Sequence, residues 1–151
     1  MQQNPEQQVL SEEQGLLADT RLAEAIFMFN NCDWYACHDC FEALWHETGG
    51  PMRPVLQGIL QIAVAELHLE RGNSRGATIL MGEGLGRLKA CPPNALDIDL
   101  VALINLSMQR LLALQQQSSI EGLEFPRLVE TSPHNRSVDS KITQFPIPNC
   151  C

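Results

Sequence analysis

Apolar residues along the chain recur every three to four positions, the period of a helix, and no stretch shows the strict alternation of a strand. Leu22, Ala25, Ile26 and Phe29 form the first clear stripe and predict a helix from Thr20 to Asn30, with Asp19 as its N-cap. Trp34, Cys37, Phe41 and Leu44 predict a second helix from Trp34 to Glu47. It is opened by Asp33 after the turn at Asn30-Asn31-Cys32 and broken by Gly49-Gly50-Pro51. A third runs from Pro54 to Arg71 and is apolar nearly all round, through Val55, Leu56, Ile59, Leu60, Ile62, Ala63, Val64 and Leu67. That pattern makes it the central, most buried helix. Gly72-Asn73 ends it.

A fourth helix is expected over Ser74 to Ala90. It contains Gly76, Gly82, Gly84 and Gly86, and each glycine costs roughly 1 kcal/mol of helix propensity against alanine. Four of them imply close approach to a neighbouring helix or a locally loose one. Beyond Cys91-Pro92-Pro93, a fifth helix opens at Asp97 or Asp99 and ends near Gln117, with Leu100, Val101, Ile104, Met108, Leu111 and Leu112 as its apolar face. The fold class is therefore all-α: a bundle of about five helices over residues 19–117. It is built from two stacked helical hairpins plus a C-terminal helix. A faint repeat at an offset of 40 aligns the turn at Cys32-Asp33 with that at Gly72-Asn73. Residues 1–18 read as a polar arm with a short helix at Ser11–Ala18, and residues 118–151 as an extended, flexible tail rich in Pro and Ser.

Polar residues interrupt the apolar helices in register. His38, Glu42 and Trp45 share one face of the second helix, and Gln57, Gln61 and His68 share one face of the third. Buried polar groups need partners, so the two faces are expected to meet, Glu42 accepting hydrogen bonds from a glutamine amide and a histidine beside the Trp45 indole. Three uses fit this cluster. His38, Glu42 and His68 supply N, O and N ligands for a divalent metal, with Glu42 or Asp39 as base for a metal-bound water. Alternatively the cluster lines a metal-free pocket for a small ligand, or it is a satisfied network that fixes the register of two helices.

Composition narrows the function classes. The chain has 151 residues, a size at which one domain buries a core without staples. It carries a net charge of −8, which argues against a nucleic-acid binder or a polybasic membrane-surface protein. Residues 1–75 hold 11 acidic and 4 basic side chains, so most of the acidity lies in the half with the unusual polar residues. No apolar run approaches the ~18 residues of a membrane span, and the N-terminus lacks the character of a signal peptide. Cytoplasmic location and reduced thiols are expected. Cys37-His38-Asp39-Cys40 matches C-x-x-C, but no strand precedes it as redox motifs require. Cys37 then packs as a small apolar residue. Cys150-Cys151 read as tail residues, and His46 and His134 as surface histidines.

The run Phe29-Asn30-x-x-Asp33-Trp34-Tyr35-x-x-His38-Asp39-x-x-Glu42-x-x-Trp45 is followed by Leu56-Gln57-Gly58-x-x-Gln61-x-Ala63 and then His68-x-x-x-Gly72-Asn73-x-x-Gly76-Ala77. Over roughly residues 20–90 this resembles the family catalogued as domain of unknown function 309, which has His-Glu where this chain has His38-Asp39. The resemblance implies a compact all-helical fold and places family signature positions on His38, Glu42, Trp45, Gln57, Gln61, His68, Gly72, Asn73, Gly76 and Ala77. It implies no activity. The reading that emerges is a binding or scaffold module, with a cleft lined by His38, Glu42, Trp45, Gln57, Gln61, His68 and Asn73, for a small molecule or protein partner. The alternative is a metal-dependent hydrolase. The apolar fifth helix suggests a homodimer.

Overall fold

The computed structural model describes residues 4–131. Among these it contains six α-helices and no strand: α1 (Pro5–Ala18), α2 (Thr20–Asn30), α3 (Trp34–Glu47), α4 (Arg53–Glu70), α5 (Ser74–Lys89) and α6 (Leu100–Gln115), with a 3₁₀ turn at Ala95–Asp97 before α6. α2 packs on α3, α3 on α4, α4 on α5 and α5 on α6, while α1 lies against α2 and the 3₁₀ turn. The bundle is thus two hairpins side by side, α2–α3 and α4–α5, closed by α6.

The predicted stripes form the core. Leu22, Ala25, Ile26 and Phe29 of α2 meet Trp34, Cys37, Phe41 and Leu44 of α3, all fully or almost fully buried. Phe29 is set edge-on to Trp34, ring centroids 5.0 Å apart, and edge-on to Phe41 at 6.5 Å. α4 is buried on most of its circumference, as its composition requires.

The two hairpin turns repeat one geometry. In the first, Cys32 takes φ +59° and the Asp33 N–H donates to the Met28 carbonyl, five residues back, at 2.9 Å. In the second, Gly72 takes φ +76° and the Asn73 N–H donates to the His68 carbonyl at 2.8 Å. Both are left-handed helix ends that recover orphan carbonyls, and they stand 40 residues apart as the sequence repeat suggested. They differ at the next helix start. Asn73 caps α5 by accepting from the Gly76 N–H at 2.9 Å. Asp33 makes no side-chain cap bond, contrary to expectation. Asp19 and Asp99 do cap their helices, through Arg21 N–H at 2.9 Å and Ala102 N–H at 3.0 Å.

Glycines decide the spacing within the second hairpin. A Cβ on Gly84 would lie 2.9 Å from the Gly58 carbonyl oxygen, and one on Gly58 would meet the Leu88 side chain at 2.7 Å. α4 and α5 therefore touch backbone to backbone at this level. Gly82 and Gly86 face open space.

Three features depart from the sequence reading. The N-terminal arm is one continuous helix from Pro5, with Asn4 as its cap and Leu16 buried. Its carboxylates do local work: Glu12 accepts from the Met52 N–H at 2.6 Å, at the start of α4, where free amides and the helix dipole favour an anion. Second, residues 119–131 are not a loose extension. Leu128 is fully buried. Asn30 clamps it from both sides, donating to the Leu128 carbonyl at 2.9 Å and accepting from its N–H at 2.8 Å. Asp99 N–H donates to the Val129 carbonyl at 2.8 Å, beside an antiparallel bridge between Ile98 and Glu130. Third, α6 is rotated from the expected face. Val101 and Leu112 are exposed, and the helix buries Leu100, Leu103, Ser107, Arg110 and Leu111. Residues 132–151, with His134, Cys150 and Cys151, lie outside the described residues.

Candidate functional site

The polar stripe of α3 is a ladder along one helix. His38 Nε2 lies 3.0 Å from Glu42 Oε2, and His46 Nε2 lies 3.5 Å from Glu42 Oε1, each pair one turn apart. Asp39 Oδ1 is 3.2 Å from His38 Nδ1 but off the line of a hydrogen bond, so that nitrogen makes none. Glu42 is 44% exposed and Asp39 64%. These are surface contacts, worth about 0–1 kcal/mol each. Trp45 serves the turn into α4 instead of the ladder. The Arg53 guanidinium stacks 4.1 Å above its ring and donates to the Trp45 carbonyl at 2.8 Å and the Thr48 carbonyl at 3.1 Å.

The polar residues of α4 turn elsewhere. Gln61 bridges α4 to α5, its amide donating to Glu83 Oε2 at 3.0 Å and its carbonyl accepting from Arg87 Nε at 2.9 Å. This follows from the glycine contact, which places the Gln61 Cβ 3.1 Å from where a Gly84 Cβ would stand. His68 faces its own terminal turn, Nδ1 3.1 Å from Asn73 Nδ2. The Asn73 oxygen is already committed to Gly76 N–H, so its amide donates and His68 Nδ1 accepts. Gln57 is half-buried. The model of the family described as Domain of unknown function (DUF309) matches residues 22–80. No curated protein matches the chain.

Within the matched segment, the residues that carry the resemblance divide by position. Gly72, Asn73 and Gly76 build the second hairpin turn, Gln61 ties α4 to α5, Trp45 closes the α3–α4 turn, and His38 and Glu42 pair on the α3 surface. The expected meeting of Glu42 with Gln61 and His68 does not occur, because those two partners are engaged by Glu83, Arg87 and Asn73. Among the described residues no group of three or more His, Cys, Asp or Glu side chains is placed to hold one metal ion. A metal on His38, Glu42 and His68 would require His68 to give up Asn73.

The C-x-x-C pair behaves as packing. Cys37 Sγ donates to the Trp34 carbonyl at 3.5 Å and Cys40 Sγ to the Arg21 carbonyl at 3.2 Å. Burial pushes both thiols up, Cys37 much more strongly, so neither is poised as a thiolate.

A second constellation lies at the edge of the DUF309 segment and was not anticipated. Glu66 of α4 and Arg110 of α6 form an ion pair with side chains 1% and 3% exposed. Arg110 Nε donates to Glu66 Oε2 at 2.9 Å and Nη2 to Oε1 at 2.5 Å, a two-pronged contact. Nη1 reaches the Leu123 carbonyl at 3.4 Å, and the guanidinium stacks 4.7 Å from the Phe125 centroid. Burial raises the Glu66 carboxyl, against the pull of Arg110. The pair lines an open pocket of about 390 Å³ together with Leu69, Ile120, Leu123 and Phe125, and with Glu70 and Glu121. The sequence held a signal for it. Glu66 is the only Asp, Glu, Lys or Arg between Arg53 and Glu70, and Arg110 the only one in α6. Single opposite charges in two apolar helices need each other to be buried.

Proposed function

We propose that this protein is a binding module whose ligand site is the cavity between α4, α6 and residues 120–125, and not the α3–α4 seam. The observation that carries this reading is the cavity's construction. Its volume of about 390 Å³ and its largely apolar lining fall in the range of small-molecule sites, which set a few polar groups in an apolar concavity. The Glu66–Arg110 pair adds a fixed polar element to that lining. One wall comes from the DUF309 segment, through Leu69 and Glu70, and the other from the chain that follows it.

Titration with the neutral fluorophore N-phenyl-1-naphthylamine tests the reading. Saturable binding at one site per chain is expected, lost in Leu69→Trp or Leu123→Trp, which fill the cavity. Binding that is absent, or unchanged in both variants while their circular dichroism stays native, refutes it.

A further inference from the structure

Resting on that reading of the pocket, we propose that its occupant is a neutral molecule with an apolar body and one carbonyl-type oxygen, which accepts a hydrogen bond from Arg110. A guanidinium carries five N–H donors. Three of them are placed: Nε–H and one Nη2–H on Glu66, and one Nη1–H on the Leu123 carbonyl. The last is long, at 3.4 Å, beyond the usual reach of about 2.7–3.2 Å. Each terminal nitrogen therefore keeps one N–H without a partner among the described residues. The side chain is 3% exposed, and a buried donor is stabilised by whatever acceptor reaches it. Arg110 lines the pocket, and no other side chain of the lining carries an N–H group. An acceptor entering the pocket is the group that completes this guanidinium.

The charge of that acceptor follows from the ion pair. Glu66 already balances Arg110 in a two-pronged contact. An anion in the apolar lining is thus desolvated with no unmatched positive charge to meet it, a cost that a carbonyl oxygen avoids. A ligand that only donates, such as an ammonium, leaves both N–H groups as they were. The guanidinium stacks on Phe125, 4.7 Å from its centroid, which holds the plane in which those groups point. Leu69, Ile120 and Leu123 offer the surface for the apolar body. A ketone, ester or amide on a short aryl or alkyl chain meets these terms.

Two measurements on the full chain test this, with 4-phenylbutan-2-one as the acceptor, n-butylbenzene as the same body without one, and 4-phenylbutanoate as the anion. In displacement of N-phenyl-1-naphthylamine, the ketone is expected to compete and to bind about tenfold tighter than the carboxylate. In proton spectra, the Arg110 Nη–H resonances are assigned through their Overhauser effects to the Phe125 ring. Saturating ketone moves at least one of them downfield, and saturating n-butylbenzene does not. In the Glu66→Leu/Arg110→Met double variant, folded by circular dichroism, the ketone loses about tenfold in affinity relative to n-butylbenzene. A ketone that fails to displace the bound fluorophore, or that moves no Nη–H resonance further than n-butylbenzene does, overturns the acceptor assignment and leaves the pocket reading standing. A carboxylate at least as tight as the ketone overturns the neutral assignment in the same way. No fluorophore binding, with no resonance moved by any of the three, overturns both.

Discussion

Replacing Arg110 by methionine keeps most of the apolar volume of the side chain but leaves Glu66 buried without its partner. An ionised carboxylate 1% exposed is not sustainable there, so the group protonates instead. The cost of that escape bounds the destabilisation. A carboxyl with an ordinary pKa of 4.5 held neutral at pH 7 costs about 3.4 kcal/mol, at 1.36 kcal/mol per pH unit. At pH 5 the same step costs only about 0.7 kcal/mol. Loss of the guanidinium stack on Phe125 adds about 0.5–1 kcal/mol at both pH values. The sign follows from proton linkage: the folded variant keeps a proton that the unfolded chain releases above 4.5, so its stability is greatest below that value and falls as pH rises. Urea unfolding followed by circular dichroism should therefore show Arg110→Met weaker than the parent by about 4 kcal/mol at pH 7 and by about 1.5 kcal/mol at pH 5. Glu66→Leu combined with Arg110→Met removes both charges and should return to within about 1–2 kcal/mol of the parent. A single-variant loss under about 1 kcal/mol at pH 7, or an equal loss at both pH values, refutes the argument that the pair is a desolvated one.

Three further outcomes are expected. Gly84→Ala forces α4 and α5 apart at the Gly58 carbonyl and should cost about 1–3 kcal/mol, whereas Gly86→Ala, facing open space, should stabilise by up to about 1 kcal/mol; thermal melts showing both changes equal would contradict the backbone contact. Asn30→Ala strips both hydrogen bonds from Leu128 and should cost about 1–3 kcal/mol, and deleting residues 119–151 should cost more; a deletion that melts like the parent would show that the 119–131 segment contributes no stability. Cys37 should resist iodoacetamide at pH 7.5 until the chain is unfolded, because it is fully buried and its thiol is held protonated; mass mapping that finds it alkylated as fast as a free thiol would refute that.

Much of the scaffold was legible in the sequence because it depends on local periodicity. The stripes of α2 and α3 name their own buried residues, Asp19 names its cap, the last helix start is narrowed to Asp97 or Asp99, and the offset of 40 between Cys32-Asp33 and Gly72-Asn73 names two turns with the same hydrogen bond. Residues 22–80 also carry the DUF309 pattern openly. What a polar residue does is a different matter, since hydrogen-bonding groups on one helix have several neighbours to choose from. Gln61 and His68 share a face with Gln57 by spacing, yet Gln61 goes to Glu83 and Arg87 and His68 to Asn73.

The amino-acid sequence alone determined that the chain forms helices, where α2 to α6 begin and end to within a few residues, and which faces of α2 to α4 turn inward. Those are properties of residues three and four apart. Only the tertiary structure decided that Asn30 holds Leu128 across 98 positions, that Glu66 meets Arg110 across 44, and that α6 turns an arginine inward and Val101 outward. Such pairings are set by how whole helices dock, where the desolvation of a single charge outweighs the preference of any one apolar stripe.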